Sequence, residues 1–244
     1  MTENTCPPAP PALQAFGLSK SYGPAAEPAL AGVDFRLEPG ESVAIMGASG
    51  SGKTTLLHCL AGIVAPDSGT VVLDTVRGPL EITGLGESER SRLRREAFGF
   101  VFQQGLLLPE LTAIENVALP LLLSGASRTA AERNAAAWLA AFGLGGFEQR
   151  RIGQLSGGQA QRVAIARAQV TGASVVFADE PTGALDSRTS GEVMEALLAA
   201  TTGRGRSLVV VTHDQGVAAR CSRLLRLADG RIVADARTST ERTR

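Results

Sequence analysis

The run Gly47-Ala48-Ser49-Gly50-Ser51-Gly52-Lys53-Thr54 constrains this chain more than any other feature. It fits G-x-x-x-x-G-K-[ST], whose glycines let the backbone turn tightly and bring its N–H groups up to phosphate oxygens. The apolar run Val43-Ala44-Ile45-Met46 precedes it and reads as a buried strand. Thr55-Leu56-Leu57-His58-Cys59-Leu60-Ala61 follows and reads as a helix, whose N-terminal dipole favours an anion. Strand, glycine-rich loop and helix in that order belong to an α/β fold. Lys53 supplies a mobile cation for the outer phosphates, and the Thr54 hydroxyl is placed for Mg²⁺. Gly47 to Gly52 and Thr55 complete the cradle.

A nucleotide held there needs a carboxylate beside its metal. Val175-Val176-Phe177-Ala178 is a short, continuously apolar run ending in Asp179-Glu180, and Leu208 to Thr212 is another, ending at His213-Asp214. Such runs fit strands covered on both faces of a parallel sheet. Polar residues just past their C-terminal ends lie where an open α/β sheet places its site. Asp179 is placed to hold the metal, and Glu180 to orient and deprotonate a water attacking the γ-phosphate. Alone, the pair would read equally well as a surface turn.

Leu155-Ser156-Gly157-Gly158-Gln159 offers a hydroxyl and unobstructed N–H groups before the apolar helix pattern Val163-Ala164-Ile165-Ala166. This is a second anion-binding arrangement at a helix start. By itself it reads also as a flexible linker. With the other motifs in this order, the chain resembles the ATP-binding subunits of ABC transporters, from about Leu13 to Ala236. The resemblance implies an Mg²⁺-dependent ATPase that drives a separately encoded membrane permease. It also implies a P-loop NTPase core sheet, an N-terminal antiparallel β subdomain and an inserted helical subdomain.

Within that family Gln103 matches the glutamine that touches Mg²⁺ and the attacking water, and His213 the histidine that contacts the γ-phosphate. Tyr22 matches the aromatic residue that stacks on adenine. Ser156, Gly157, Gly158 and Gln159 match the signature that closes over the γ-phosphate held by a second copy, with Asp186 at the same interface. A homodimer with ATP between its halves is thus implied. Phe102-Gln103-Gln104, Leu107-Leu108-Pro109 and Leu111 to Val117 resemble the lipoprotein-release, macrolide-export and cell-division branch. The apolar cluster from Gln103 to Glu115 is a candidate groove for a permease helix or part of a helical core. Two departures stand out: Thr75 to Glu81 lacks the short Asp-Gly turn, and Gln169 stands where leucine is usual.

Residues 1–12 read as a proline-rich tail, 13–237 as the ATP-binding domain with a helical insert at about 104–161, and 238–244 as a second tail. Glu87 to Glu96 reads as a charged helix, and its interleaved glutamates favour a solvated face over a nucleic-acid patch. Thr129-Ala130-Ala131-Glu132 fits a capping box opening an alanine-rich helix that stops at Gly143. Lysine plus arginine (24) balances aspartate plus glutamate (24), which argues against direct nucleic-acid binding. Cys6, Cys59 and Cys221 lack metal-ligand spacing, and no apolar run reaches the length of a membrane span. The expectation is a cytoplasmic protein, peripheral on the membrane through its permease. The rival reading is a soluble ABC-type ATPase of translation or DNA repair. Two further rivals, a non-hydrolysing nucleotide sensor and a P-loop kinase, fit less well with Glu180, His213 and the signature.

Overall fold

A computed structural model describes residues 10–23, 27–103 and 105–238. Gln104, Cys6, most of the N-terminal tail and residues 239–244 lie outside them. In chain order the elements open with β1 (Leu13–Lys20), β2 (Leu30–Leu37), β3 (Ser42–Met46), α1 (Lys53–Leu60), β4 (Ser68–Thr75) and β5 (Gly78–Glu81). Next come α2 (Glu87–Glu96), β6 (Phe98–Phe102), α3 (Ala113–Leu123), α4 (Arg128–Ala141) and α5 (Gly157–Gln169). The chain closes with β7 (Val175–Asp179), α6 (Ser187–Ala200), β8 (Ser207–Val211), α7 (Gln215–Ala218), β9 (Arg223–Ala228) and β10 (Arg231–Arg237).

The strands form two sheets. One has the order β10-β9-β3-β8-β7-β6, and β9, β3, β8, β7 and β6 run parallel within it. The other is antiparallel, β2-β1-β4-β5. Side chains alternate across a strand, so each five-residue apolar run feeds two cores. Val43, Ile45, Val175, Phe177, Val209 and Val211 face α1 and the antiparallel sheet. Ala44, Met46, Val176, Ala178, Leu208 and Val210 face the layer of α3, α4, α5, α6 and α7. This two-sided burial is why the runs are apolar throughout, each fully buried Val, Leu or Phe contributing about 1.5–3 kcal/mol.

The antiparallel sheet, the parallel core and the C-terminal hairpin match the sequence reading. Two local expectations change, and the two departures noted in the sequence find their places. Helix α4 is capped two residues early, by Ser127, whose Oγ accepts from the Ala130 N–H at 3.4 Å. Thr129 lies inside the helix and so forms no box with Glu132, whose carboxylate instead accepts from Arg128 Nε at 2.6 Å. Residues 142–156 are irregular apart from a short 3-10 turn at Ile152–Gln154, so the helical layer is less continuous than expected. Thr75 to Glu81 forms an ordinary hairpin, with Thr75 opposite Gly78 and its hydroxyl donating to the Gly78 carbonyl at 2.7 Å. Gln169 is fully buried; its Oε1 accepts from Arg206 at 2.7 Å, while its Nε2 finds no partner among the described residues. No helix among the described residues is long and apolar enough to cross a membrane.

Candidate functional site

Four loops meet at the C-terminal edge of the parallel strands. Gly47 follows β3, Gln103 follows β6, Glu180 follows β7 and His213 stands two residues beyond β8. Strand register aligns them: Asp179 pairs with both Phe102 and Val211, and Val211 pairs with Ile45. Here a cleft of about 250 Å³ opens, lined by Ser49, Gly50, Lys53, Thr54, Asp179 and Glu180 among others.

The loop wraps the start of α1 because its glycines permit it. Gly52 takes φ +100°, and a β-carbon there would strike the Ala29 carbonyl; one at Gly47 would strike the Leu227 carbonyl. Lys53 Nζ donates to the Gly47 and Ala48 carbonyls at 2.9 and 2.8 Å, so the ammonium is held over the cradle by its own loop. The Ser51 hydroxyl is buried without a partner among the described residues. The hydroxyl of Thr55, the third residue of α1, lies 3.4 Å from the Tyr22 hydroxyl. Tyr22 is otherwise 65% exposed, a flat face at the rim of the loop.

Asp179 ends β7 with its carboxyl half-buried. Burial pushes its pKa up; His58, the Thr54 hydroxyl and Lys53 pull the other way, while Glu180 adds to the rise. His58, on α1, has its own pKa lowered by burial. Glu180 adopts φ +47°, a left-handed conformation costing a non-glycine residue about 1–2 kcal/mol. Its N–H donates to the Val211 carbonyl at 2.9 Å, which holds it there. The Glu180 Oε1 lies 2.8 Å from His213 Nδ1. The contact is a hydrogen bond in the tautomer that carries the imidazole proton on Nδ1, because a carboxylate oxygen accepts. Gln103 is exposed on the turn after β6, and its side chain lies against Gly183 rather than on the cleft wall.

The signature lies elsewhere. Ser156 caps α5 in a reciprocal box: its N–H donates to Gln159 Oε1 at 3.0 Å and its Oγ accepts from the Gln159 N–H at 3.3 Å. Gly157 and Gly158 pack against Leu185 and Thr189. Asp186 caps α6, accepting from the Arg188 and Thr189 N–H groups and the Thr189 hydroxyl. None of Ser156, Gly157, Gly158, Gln159 and Asp186 lines the cleft. Within one chain, then, Gln159 and Asp186 have capping partners that their sequence assignments do not mention.

Sequence reading missed Asp67. Its carboxylate takes the Lys20 ammonium and the Ser21 N–H, each at 2.7 Å, and so ties down the residues leading to Tyr22. The one signal was that Lys20 is one of only two lysines in the chain.

A glycine-rich phosphate cradle and a strand-end carboxylate pair on a parallel sheet define a P-loop nucleotide hydrolase. A family model described as ABC transporter matches residues 30–183, more than half the chain. The chain therefore belongs to the ABC transporter family, as one of its ATP-hydrolysing cassettes. The lipoprotein-releasing system ATP-binding protein LolD of Bordetella pertussis is 46% identical over 227 residues, 92% of this chain and 96% of that protein. The macrolide export ATP-binding/permease protein MacB of Rhodopseudomonas palustris is 46% identical over 226 residues, 92% of this chain. The chain spans only 34% of MacB, about a third of its length. Among solved structures it resembles the dimeric ATP-binding cassette MJ0796 bound to ADP and Pi, with TM-score 0.82 and 38% identity. That match covers 93% of this chain and 98% of the other. These relatives carry transport names, not those of translation or repair proteins.

Proposed function

We propose that the chain is a transporter motor: it binds Mg·ATP, hydrolyses it between two copies of itself, and drives a membrane permease. The observation that carries this reading is the separation of two half-sites. The phosphate cleft and the signature both offer groups suited to a γ-phosphate, yet one chain keeps them apart. A two-fold pair would complete each cleft with its partner's signature.

The residues fit the roles assigned to them. Lys53 faces the β- and γ-phosphates, and Tyr22 stacks on adenine. The desolvated Asp179 carboxylate suits a hard cation. No cluster of three or more His, Cys, Asp or Glu forms a cage among the described residues. That suits Mg²⁺, which is usually held by one or two carboxylates together with substrate phosphates. Held by Thr54 and Asp179, and by Gln103 once its side chain swings from Gly183 toward the cleft, it would neutralise charge on the outer phosphates. Glu180 takes the proton of the attacking water, with its carboxylate oriented by His213. Ser156 and the Gly157 and Gly158 amides supply the partner's clamp, with Asp186 linking the two sites.

The ATP-binding domain is read as residues 13–237, with the helical part inserted at about 104–161. Its docking face for the permease is the segment from Gln103 to Glu115. Within it Leu106 and Leu108 are exposed large apolar side chains, whereas Leu107 packs into the helical core. The protein then sits on the cytoplasmic face of the cell membrane, and its cycle powers export or mechanical coupling.

Nucleotide binding and phosphate release in two variants test this reading. Lys53→Ala is expected to lose most ATP affinity. Glu180→Gln is expected to keep it while turnover falls about a hundredfold or more. Unchanged affinity in the first, or near-native turnover in the second, contradicts the assignment.

A further inference from the structure

We propose that Arg167 is a positioning residue for Gln103, binding the turn that carries Gln103 to the helix that begins at the signature. The inference rests on the role given to Gln103 above. The turn follows β6 directly. The Gly105 N–H closes it onto the Phe102 carbonyl at 2.8 Å, and Leu106 takes φ +45° in the left-handed region. A non-glycine residue there needs surroundings that hold it.

Helix α5 supplies the hold. Arg167 Nη1 donates to the Leu106 carbonyl at 2.8 Å and Nη2 to the Gly105 carbonyl at 2.6 Å. Nearer the start of the helix, Gln161 Nε2 donates to the Phe102 carbonyl at 3.1 Å. Three carbonyls of one turn are thus clasped by two side chains of one helix.

Arg167 is an expensive way to fill this place. Burial pushes its pKa down, and no carboxylate pairs with it among the described residues. A desolvated cation without a counter-ion is disfavoured unless its donors are fully used. The guanidinium fork reaches two adjacent carbonyls at once, which an ammonium cannot reproduce. Its charge therefore serves the backbone of the turn.

The consequence falls on the reacting groups. Phe102 pairs with Asp179, so the turn stands beside the strand end that carries Glu180. The Gln103 side chain lies against Gly183, three residues past Glu180. A turn free to drift would carry Gln103 away from that place. The same helix starts at Gly157 with Ser156 as its cap, so the turn and the signature are tied to one helix.

The test is a double-mutant cycle. ATP affinity and turnover are measured for the wild type, Arg167→Lys, Gln103→Ala and the double variant. Arg167→Lys keeps the charge and loses the fork. Its turnover is expected to fall about tenfold with ATP affinity held within about twofold, a loss confined to the reaction step. Because Arg167 acts through Gln103, the double variant is expected to turn over no more slowly than Gln103→Ala alone. Hydrogen exchange gives a readout independent of activity: the amides of residues 105 and 106 exchange about tenfold faster in Arg167→Lys, while those of α1 do not change. If Arg167→Lys fails to fold, Arg167→Gln, which also loses the fork, enters the same cycle with the same expected outcome.

Additive losses in the double variant, or wild-type turnover with unchanged exchange in Arg167→Lys, overturn the proposal. A Gln103→Ala variant with wild-type turnover is a different failure, that of the role given to Gln103, and it removes the proposal with it.

Discussion

Tyr22 shows how much of this site depends on residues that never touch the reacting atoms. Its ring is mostly exposed and has one weak polar contact, to Thr55. What fixes its place is the preceding chain, pinned by Asp67 through Lys20 and Ser21. The Lys20 ammonium, first, and the Ser21 N–H hold the Asp67 pKa below its ordinary 3.8. A carboxyl depressed in the folded state stabilises above its unfolded pKa, and the effect is lost as pH falls through the folded value. The tie is therefore fully present from about pH 5 upward, is lost in acid, and weakens again only in strong base, where Lys20, whose own pKa Asp67 raises, gives up its proton. Base–aromatic stacking is worth about 1–3 kcal/mol. Asp67→Ala is accordingly expected to weaken ATP binding about tenfold with turnover at saturation unchanged. Titration of nucleotide affinity at neutral pH checks it; unaltered affinity would show that Tyr22 stands without this support. The phosphate loop, Asp179 and Glu180 were legible because each needs a particular residue type at a fixed place in a motif. Asp67 was not, because an ion pair between residues 47 apart leaves no local pattern.

At the scale of elements, the ends of helices are where sequence reading both succeeded and slipped. The boundaries of α2 and the Gly143 stop of α4 came out as expected, Gly143 taking φ +70° just past the C-cap Phe142. The N-cap of α4 did not. Two hydroxyls, Ser127 and Thr129, competed for the place, and the pattern favoured the one with a glutamate three residues on. The helix starts after Ser127, which leaves Thr129 inside it and Glu132 paired with Arg128. Ser127→Ala is expected to lower stability by about 0.5–1 kcal/mol, and Thr129→Ala by much less. Denaturant unfolding of the two variants distinguishes the caps; the reverse order would restore the original one. The same logic governs α5 and α6, whose caps Ser156 and Asp186 were read only as nucleotide and interface residues. Each fixes a helix start within its own chain while presenting the surface that a partner would meet.

Over the whole molecule, the parallel sheet sorts two kinds of chemistry. The side holding α1 and the antiparallel sheet carries the phosphate loop and Tyr22; the helical layer carries the signature, the turn after β6 and the exposed leucines. The fold class was legible because buried parallel strands and a strand–loop–helix motif have strong periodic signatures. The tether from Arg167 was not, since an arginine near the end of a helix reads as solvated until its partners are known. The arrangement leaves each chain with half of two sites, and ATP is the group able to join them. Charged phosphate oxygens would be taken up by Ser156 and the Gly157 and Gly158 amides of a partner, and these charge-assisted bonds vanish once the γ-phosphate leaves.

The mass of the Glu180→Gln protein in solution, by light scattering with and without Mg·ATP, tests this most directly. The account predicts a monomer without nucleotide, a dimer with Mg·ATP, and a monomer again when Ser156→Arg is added to block the clamp. A Glu180→Gln protein that binds Mg·ATP yet stays monomeric at high concentration, with its permease present, would contradict it.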